Sequence, residues 1–305
     1  MIDMSSLMTQ QGQLFLLLLI GLLFKRGGIV DDAFQKGLTD VIIKLVLPCS
    51  IIQSFRMEFN AEILRQTSEI LIVSAVLQLG CCALALVAYR RQPPEKRPAV
   101  QYATLCSNAT FLGTPVVDGV FGSQGTLLAA VYLTPQRVAM WTVGLSFFTK
   151  KNGQKLWKRV LTNPCIVAVI AGMILLVTQW PLPAVLGNTV KTLGNCNTVL
   201  SMFLIGMICA DVQKSDFLDR DSLYFSAIRL VLIPGLLLAG CRLAGVTEIV
   251  TDVSVVLAAM PAGATTAILA SKYQGSAHFA AGCITVSTLL SIVAIPVWCM
   301  ILLAV

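Results

Sequence analysis

Polar residues interrupt this chain at nearly regular intervals, and between the interruptions run ten apolar stretches. They fall at about 7–24, 38–55, 68–89, 99–121, 125–149, 160–179, 191–210, 223–244, 250–271 and 278–303. Each is near the roughly 20 residues that a helix needs to cross a bilayer. In lipid every backbone N–H and C=O must be satisfied within its own segment, so each stretch is predicted to be a helix. None shows the strict alternation of apolar and polar positions that marks a barrel strand. The pattern predicts an all-α polytopic membrane protein with ten transmembrane helices.

Composition agrees. Of 305 residues, 56% are hydrophobic and 12% charged, against roughly 25% charged in a soluble domain. A soluble enzyme, a disordered chain and a DNA-binding domain are excluded, and the net charge of +7 is not read as a nucleic-acid signal. The basic residues report orientation instead. Fifteen of the 22 fall in the connections after stretches 1, 3, 5, 7 and 9, including Lys150, Lys151, Lys155, Lys158 and Arg159. Four (Arg56, Arg65, Lys191 and Arg242) fall on the other side, and Lys44, Arg137 and Arg229 lie within stretches. This asymmetry predicts a multi-pass protein of the cell (inner) membrane with both termini outside the cytoplasm. Met1 to Gln13 carries no Lys or Arg, so the first stretch is read as a mature span and not as a cleaved leader. The ten cysteines form no CxxC pair and His278 is the sole histidine. They are read as small apolar packing residues, with no metal, cofactor or disulfide framework expected.

Five stretches on each side of the Lys150–Arg159 connection would have opposite orientations, so the chain is divided into 1–150 and 151–305 as two inverted five-helix repeats. The strongest echo joins stretches 4 and 9. Asn108-Ala-Thr-Phe-Leu-Gly113-Thr-Pro115 leads to a turn at Gly122, and Met260-Pro261-Ala-Gly263-Ala-Thr-Thr266 leads to a turn at Gly275. A proline inside a helix removes a hydrogen bond and clashes with the preceding turn. The resulting half-helix N-termini attract anions, and such a matched pair marks a transporter's midplane site. Measured from the prolines the register is imperfect, because Pro115 precedes Gly122 by 7 residues and Pro261 precedes Gly275 by 14.

Ionisable residues inside spans are costly and become functional candidates. Arg137 lies near mid-bilayer, where it would meet a substrate carboxylate or a structural partner. Asp118, just past the first break, is a candidate for a coupled proton. Lys44 and Arg229 sit about six residues from the cytoplasmic ends of their stretches, a distance that long side chains snorkel; Lys44 is kept beside Asp118 as a coupling candidate. No GxxxxGK[ST], HExxH or GxSxG run occurs, and no second membrane aspartate is placed to serve an aspartyl protease with Asp118-Gly119, so no enzyme activity is expected.

Together these residues resemble the auxin efflux carrier family, the group of plant PIN proteins and bacterial malonate- and malate-type permeases. The resemblance runs through Leu47-Pro48, then Asn108, Phe111, Gly113, Pro115 and Gly122 of an Asn-x-x-Phe-x-Gly-x-Pro pattern, then Asn163-Pro164 with Gly172. It continues through Leu204-Ile205-Gly206, Met260-Pro261-Ala262 and Ser287-Thr-Leu-Leu-Ser291 with Pro296. It implies ten helices in two inverted repeats, with stretches 1, 2, 6 and 7 as a scaffold and 3–5 with 8–10 as a transport domain. It also implies a carboxylate substrate at the crossing of stretches 4 and 9, and a homodimer.

The resulting expectation is a secondary transporter moving a small mono- or dicarboxylate by alternating access. Asn108, Thr110, Gly113, Thr114 and Pro115 would line the site with Arg137, Pro261, Ala262, Gly263 and Thr265, and a proton or sodium ion is left open as the coupling ion. A sodium-coupled bile-acid-type symporter shares the architecture, but it needs clustered Asn, Gln, Glu and Ser ligands in a crossover that is here poor in acidic groups. A non-transporting membrane sensor would usually append a soluble output domain, for which no connection is long enough.

Overall fold

Eleven helices and a single isolated bridge account for the regular structure among the residues described by the computed structural model, which are 4–56, 60–148, 164–210, 219–263, 265–273 and 276–304. Counting π turns within their helices, these are α1 Met4–Arg26, α2 Asp32–Ser54, α3 Ala61–Ala88, α4 Arg97–Leu105, α5 Ala109–Phe148 and α6 Pro164–Thr178. They continue as α7 Ala184–Ala210, α8 Arg220–Leu243, α9 Glu248–Ala258, α10 Thr265–Lys272 and α11 Ala277–Ala304. The ten apolar stretches become eleven helices for a physical reason. Stretches 4 and 9 are each split in two, while the second half of stretch 4 runs into stretch 5 as α5. That helix is a hairpin. Gly122, at φ 62°, reverses the chain, so that Thr126 Oγ1 donates to Asp118 Oδ1 at 2.7 Å. In a straight helix residues eight apart are separated by about 12 Å.

The starts of two helices follow from their caps. Asp31 and Asn60 each accept a hydrogen bond from the backbone N–H three residues on, at 2.8 Å, which satisfies a donor that the first turn leaves free. The prolines act differently from the sequence expectation. Pro48, Pro115 and Pro234 do not break their helices; each sits two residues past a π turn, at Ile42–Val46, Ala109–Gly113 and Ile228–Leu232. A wider turn relieves the clash of the proline ring with the carbonyl four residues back, and it leaves that carbonyl without its helical partner. In α8 the freed carbonyl is that of Leu230, and the Trp298 indole of α11 donates to it at 2.7 Å. Trp298→Phe is therefore expected to lower stability by about 1–3 kcal/mol, read as a drop in melting temperature in detergent.

The surface exposes large apolar side chains, and the core, itself mainly apolar, takes in a set of polar ones. Ile72, Val76 and Leu79 of α3, Ile174 of α6, Leu236 of α8 and Val293 of α11 are exposed, whereas Ser74, Thr104, Ser254, Ser287 and Asn108 are buried. Five helical segments, those of α2, α3, α5, α8 and α11, are long and apolar enough to cross a membrane, and α6 is a shorter apolar helix. Helices α1, α2, α6 and α7 pack mainly on one another, while α3–α5 and α8–α11 form a second group. The close approach of α1 to α7 needs glycine on both sides. A Cβ on Gly21 would meet the Phe203 carbonyl, and one on Gly206 would meet the Leu18 carbonyl.

Connections that the charge count assigns to one side meet there. Lys96 pairs with Asp221 at 3.1 Å and Asp219 at 3.7 Å, over the Phe279 ring, and Ser276 N–H donates to the Glu95 carbonyl. Against a penalty from burial, the two carboxylates hold the Lys96 ammonium above its ordinary range. At the opposite ends, Thr247 N–H donates to Glu69 Oε2 at 3.2 Å and Arg56 donates to the Gly187 carbonyl at 3.1 Å.

Candidate substrate site at the helix crossover

Helix α4 stops at Leu105 and α9 at Ala258, and the extended residues after each cross in antiparallel fashion. Asn108 N–H donates to the Pro261 carbonyl at 2.7 Å and Gly263 N–H to the Cys106 carbonyl at 2.8 Å, with Ser107 opposite Ala262. This two-strand contact gives buried, non-helical backbone the partners that lipid cannot supply. Glycine at 263 suits the close approach, since a Cβ there would lie 3.0 Å from the Cys106 carbonyl oxygen, a tight contact with backbone. Side chains fasten the crossing from neighbouring helices. Ser107 Oγ donates to Gln136 Oε1 and Gln136 Nε2 donates to the Ser107 carbonyl, both at 3.0 Å. Ala262 N–H donates to Ser287 Oγ at 3.2 Å.

The break in stretch 4 thus lies at Cys106–Asn108, about two turns before the Gly113–Pro115 segment where the sequence reading put it. The apparent register offset disappears with this correction. Asn108 precedes Gly122 by 14 residues, as Pro261 precedes Gly275, and Asn108 and Pro261 are the pair that bond.

The predicted residues divide into several groups. Asn108, Pro261, Ala262 and Gly263 form the crossing itself. Thr110 is half-buried in the π turn that follows. Thr114 turns its hydroxyl back to the Ala109 carbonyl at 3.2 Å, and Pro115 is buried beside it. Gly113 serves packing, because a Cβ there would lie 2.8 Å from Leu257 Cδ2 and 3.0 Å from Met260 Cγ. Thr265 starts α10 and accepts from the Tyr102 hydroxyl at 3.4 Å. Asn108 makes no side-chain cap to the half-helix it precedes.

Arg137 follows Gln136 in α5 and is 5% exposed. Its Nη1 and Nη2 have no hydrogen-bond partner among the described residues, and it lies within electrostatic reach of Cys165 in α6. Asp118 lines a polar cavity of about 290 Å³ between the two helix groups, with Ser50, Gln53 and Ser54 of α2, Ser123 and Thr126 of α5, and Asn195, Asn197 and Thr198 of α7. Lys44 is exposed and paired with Asp40 at 2.8 Å.

Sequence reasoning missed Arg229. It does not snorkel. It is 2% exposed, with Nε donating to the Met260 carbonyl at 3.0 Å and Nη1 to the Thr104 carbonyl at 3.1 Å. It therefore clasps the ends of α4 and α9 together. The signal available was its place five residues before Pro234, which predicts a distorted turn able to re-aim the side chain.

Apolar helices around two buried, broken and crossing helices define an integral membrane protein. Residues 6–156 and 149–299 match the membrane transport protein family, and the chain belongs to that family, the auxin efflux carrier group. It is similar over nearly its whole length to three uncharacterized transporters. One, from Methanothermobacter thermautotrophicus, is 27% identical, with 94% of this chain and 95% of the relative covered. Another, from Methanocaldococcus jannaschii, is 23% identical over 94% and 96% of the two chains. The third, YfdV from Escherichia coli, is 22% identical over 93% and 94%. The protein is a membrane transporter of this family.

Proposed function

We propose that this protein carries a small organic anion, a mono- or dicarboxylate, across the cell membrane by alternating access, with the carboxylate held between the crossover and Arg137. The observation that carries the reading is the buried Arg137 guanidinium, two of whose nitrogens have no hydrogen-bond partner among the described residues. An uncompensated charge in a membrane bundle is costly and marks a substrate path, and the natural partner of a two-nitrogen fork is a carboxylate. The crossover adds to this. Each helix N-terminus carries about half a positive charge, and the half-helices starting at Ala109 and Thr265 both begin there.

On this reading the chain is ten spans in two inverted repeats, in agreement with the equal 14-residue spacing from crossing to turn. The group of α3–α5 and α8–α11 moves against α1, α2, α6 and α7. The cavity of about 290 Å³ at Asp118, between the groups and apart from Arg137 and the crossover, is at the lower end of ligand pockets, which run from roughly 300 Å³ upward, and would admit a small substrate on its path. Asp118, which lines this cavity, is assigned the coupling role.

A thermal-shift screen of the detergent-purified protein against mono- and dicarboxylates tests the proposal, since a ligand that binds only the folded state raises its stability. A carboxylate-specific rise that falls at least tenfold in apparent affinity in Asn108→Ala is expected. Equal affinity in the variant would remove the crossover from the site.

A further inference from the structure

We infer that Arg229 is the built-in cation of the crossover, filling a position in which the carbonyl ends of α4 and α9 would otherwise hold a monovalent metal ion. The crossing brings together two helix C-termini, each carrying about half a negative charge, and two N-termini, each carrying about half a positive one. On the C-terminal side the sum is about one negative unit, and Arg229 sets one positive unit against it, donating to the Thr104 carbonyl in the last turn of α4 at 3.1 Å and to the Met260 carbonyl, two residues past the end of α9, at 3.0 Å. The Thr104 carbonyl has lost its regular helical donor, the Asn108 N–H, which is spent on Pro261. Among the described residues no carboxylate is within ion-pair range of Arg229, so the helix ends are its counter-charge. On the N-terminal side about one positive unit remains.

Carbonyls freed at half-helix ends are the groups that coordinate sodium in transporters with broken helices. Here that place is taken from within the chain. The local sequence explains how: the π turn Ile228–Leu232, two residues before Pro234, places Arg229 on the buried side of α8. The crossover therefore accepts an anion without an accompanying sodium ion, and removing the guanidinium uncovers a latent cation site. The anion half of this statement rests on the transport reading above; the cation half does not.

The test is thermal stability of purified wild type, Arg229→Ala and Arg229→Lys while sodium or guanidinium replaces choline at constant ionic strength. The wild type is expected to be indifferent to the exchange. Arg229→Ala is expected to melt several degrees lower and to recover along a saturating curve as guanidinium or sodium is added. Arg229→Lys, which keeps a positive charge, is expected to respond more weakly than the alanine variant. A saturating, sodium-specific rise in the wild type would overturn the inference, as would a folded alanine variant indifferent to every cation. If the alanine variant does not fold in choline, it is purified in guanidinium or sodium. Recovery of monodisperse protein in either supports the inference, and recovery in neither overturns it. A carboxylate titration of the wild type is run beside these curves; its failure would overturn the transport reading while leaving the cation result standing.

Discussion

Replacing Arg137 by methionine is expected to abolish carboxylate transport and at the same time to raise the melting temperature of the empty protein. Both effects follow from one observation, a guanidinium that is 5% exposed and whose Nη1 and Nη2 have no hydrogen-bond partner among the described residues. Exchanging an uncompensated buried charge for an apolar side chain of similar length removes a desolvation penalty of several kcal/mol. Loss of one partner of a buried, hydrogen-bonded charge pair costs about 2–5 kcal/mol of binding, or roughly 30-fold to several thousand-fold. Stability gained together with function lost distinguishes a substrate ligand from a structural ion pair, whose removal would lower both. The measurement is a melting curve of the empty variant beside proteoliposome uptake; a variant that melts lower and still transports would contradict the assignment.

A leucine at Gly206 is expected to unseat α1 from α7. A Cβ there would fall on the Leu18 carbonyl, and one at the facing Gly21 on that of Phe203. Backbone carbonyls cannot rotate away as a side chain can, and small residues are what allow membrane helices to approach so closely. The cost is expected at or above the upper end of ordinary overpacking, about 3 kcal/mol or more. It would appear in size-exclusion chromatography as aggregated protein or in a melting curve as a large downward shift. Gly80→Ala in α3 is the control, since nothing lies within 4 Å of a Cβ there, and it is expected to retain wild-type behaviour. Equal behaviour of the two variants would mean that the α1–α7 contact contributes little.

The helices were legible in the sequence because lipid leaves the backbone one solution for each apolar run. Part of the crossing was also legible, since Asn108, Pro261, Ala262 and Gly263 all lie in it, whereas their partners Cys106 and Ser107 were not picked out. The location of the first break was not. Prolines mark distortion, and Pro48, Pro115 and Pro234 express it as π turns within continuing helices. The true break, Cys106–Asn108, contains neither glycine nor proline; its extended backbone is stabilised by the segment that follows α9, far away in the chain. The equal spacing in sequence of Asn108 from Gly122 and of Pro261 from Gly275 was the available clue. Arg229 was misread for a related reason. Distance from a helix end suggests snorkelling, whereas the attraction that holds it comes from two carbonyls of other helices, which no local pattern displays. The close approach of Gly113 to Leu257 and Met260 is likewise a contact between distant segments that no local pattern displays.

The most direct test of the central claim is uptake into proteoliposomes of labelled mono- and dicarboxylates beside neutral and cationic solutes of similar size. The account predicts saturable uptake of a carboxylate, little of the neutral and cationic solutes, and loss of that uptake in Arg137→Met. Saturable uptake of a neutral or cationic solute with no carboxylate transported, or carboxylate uptake undiminished in Arg137→Met, would contradict it.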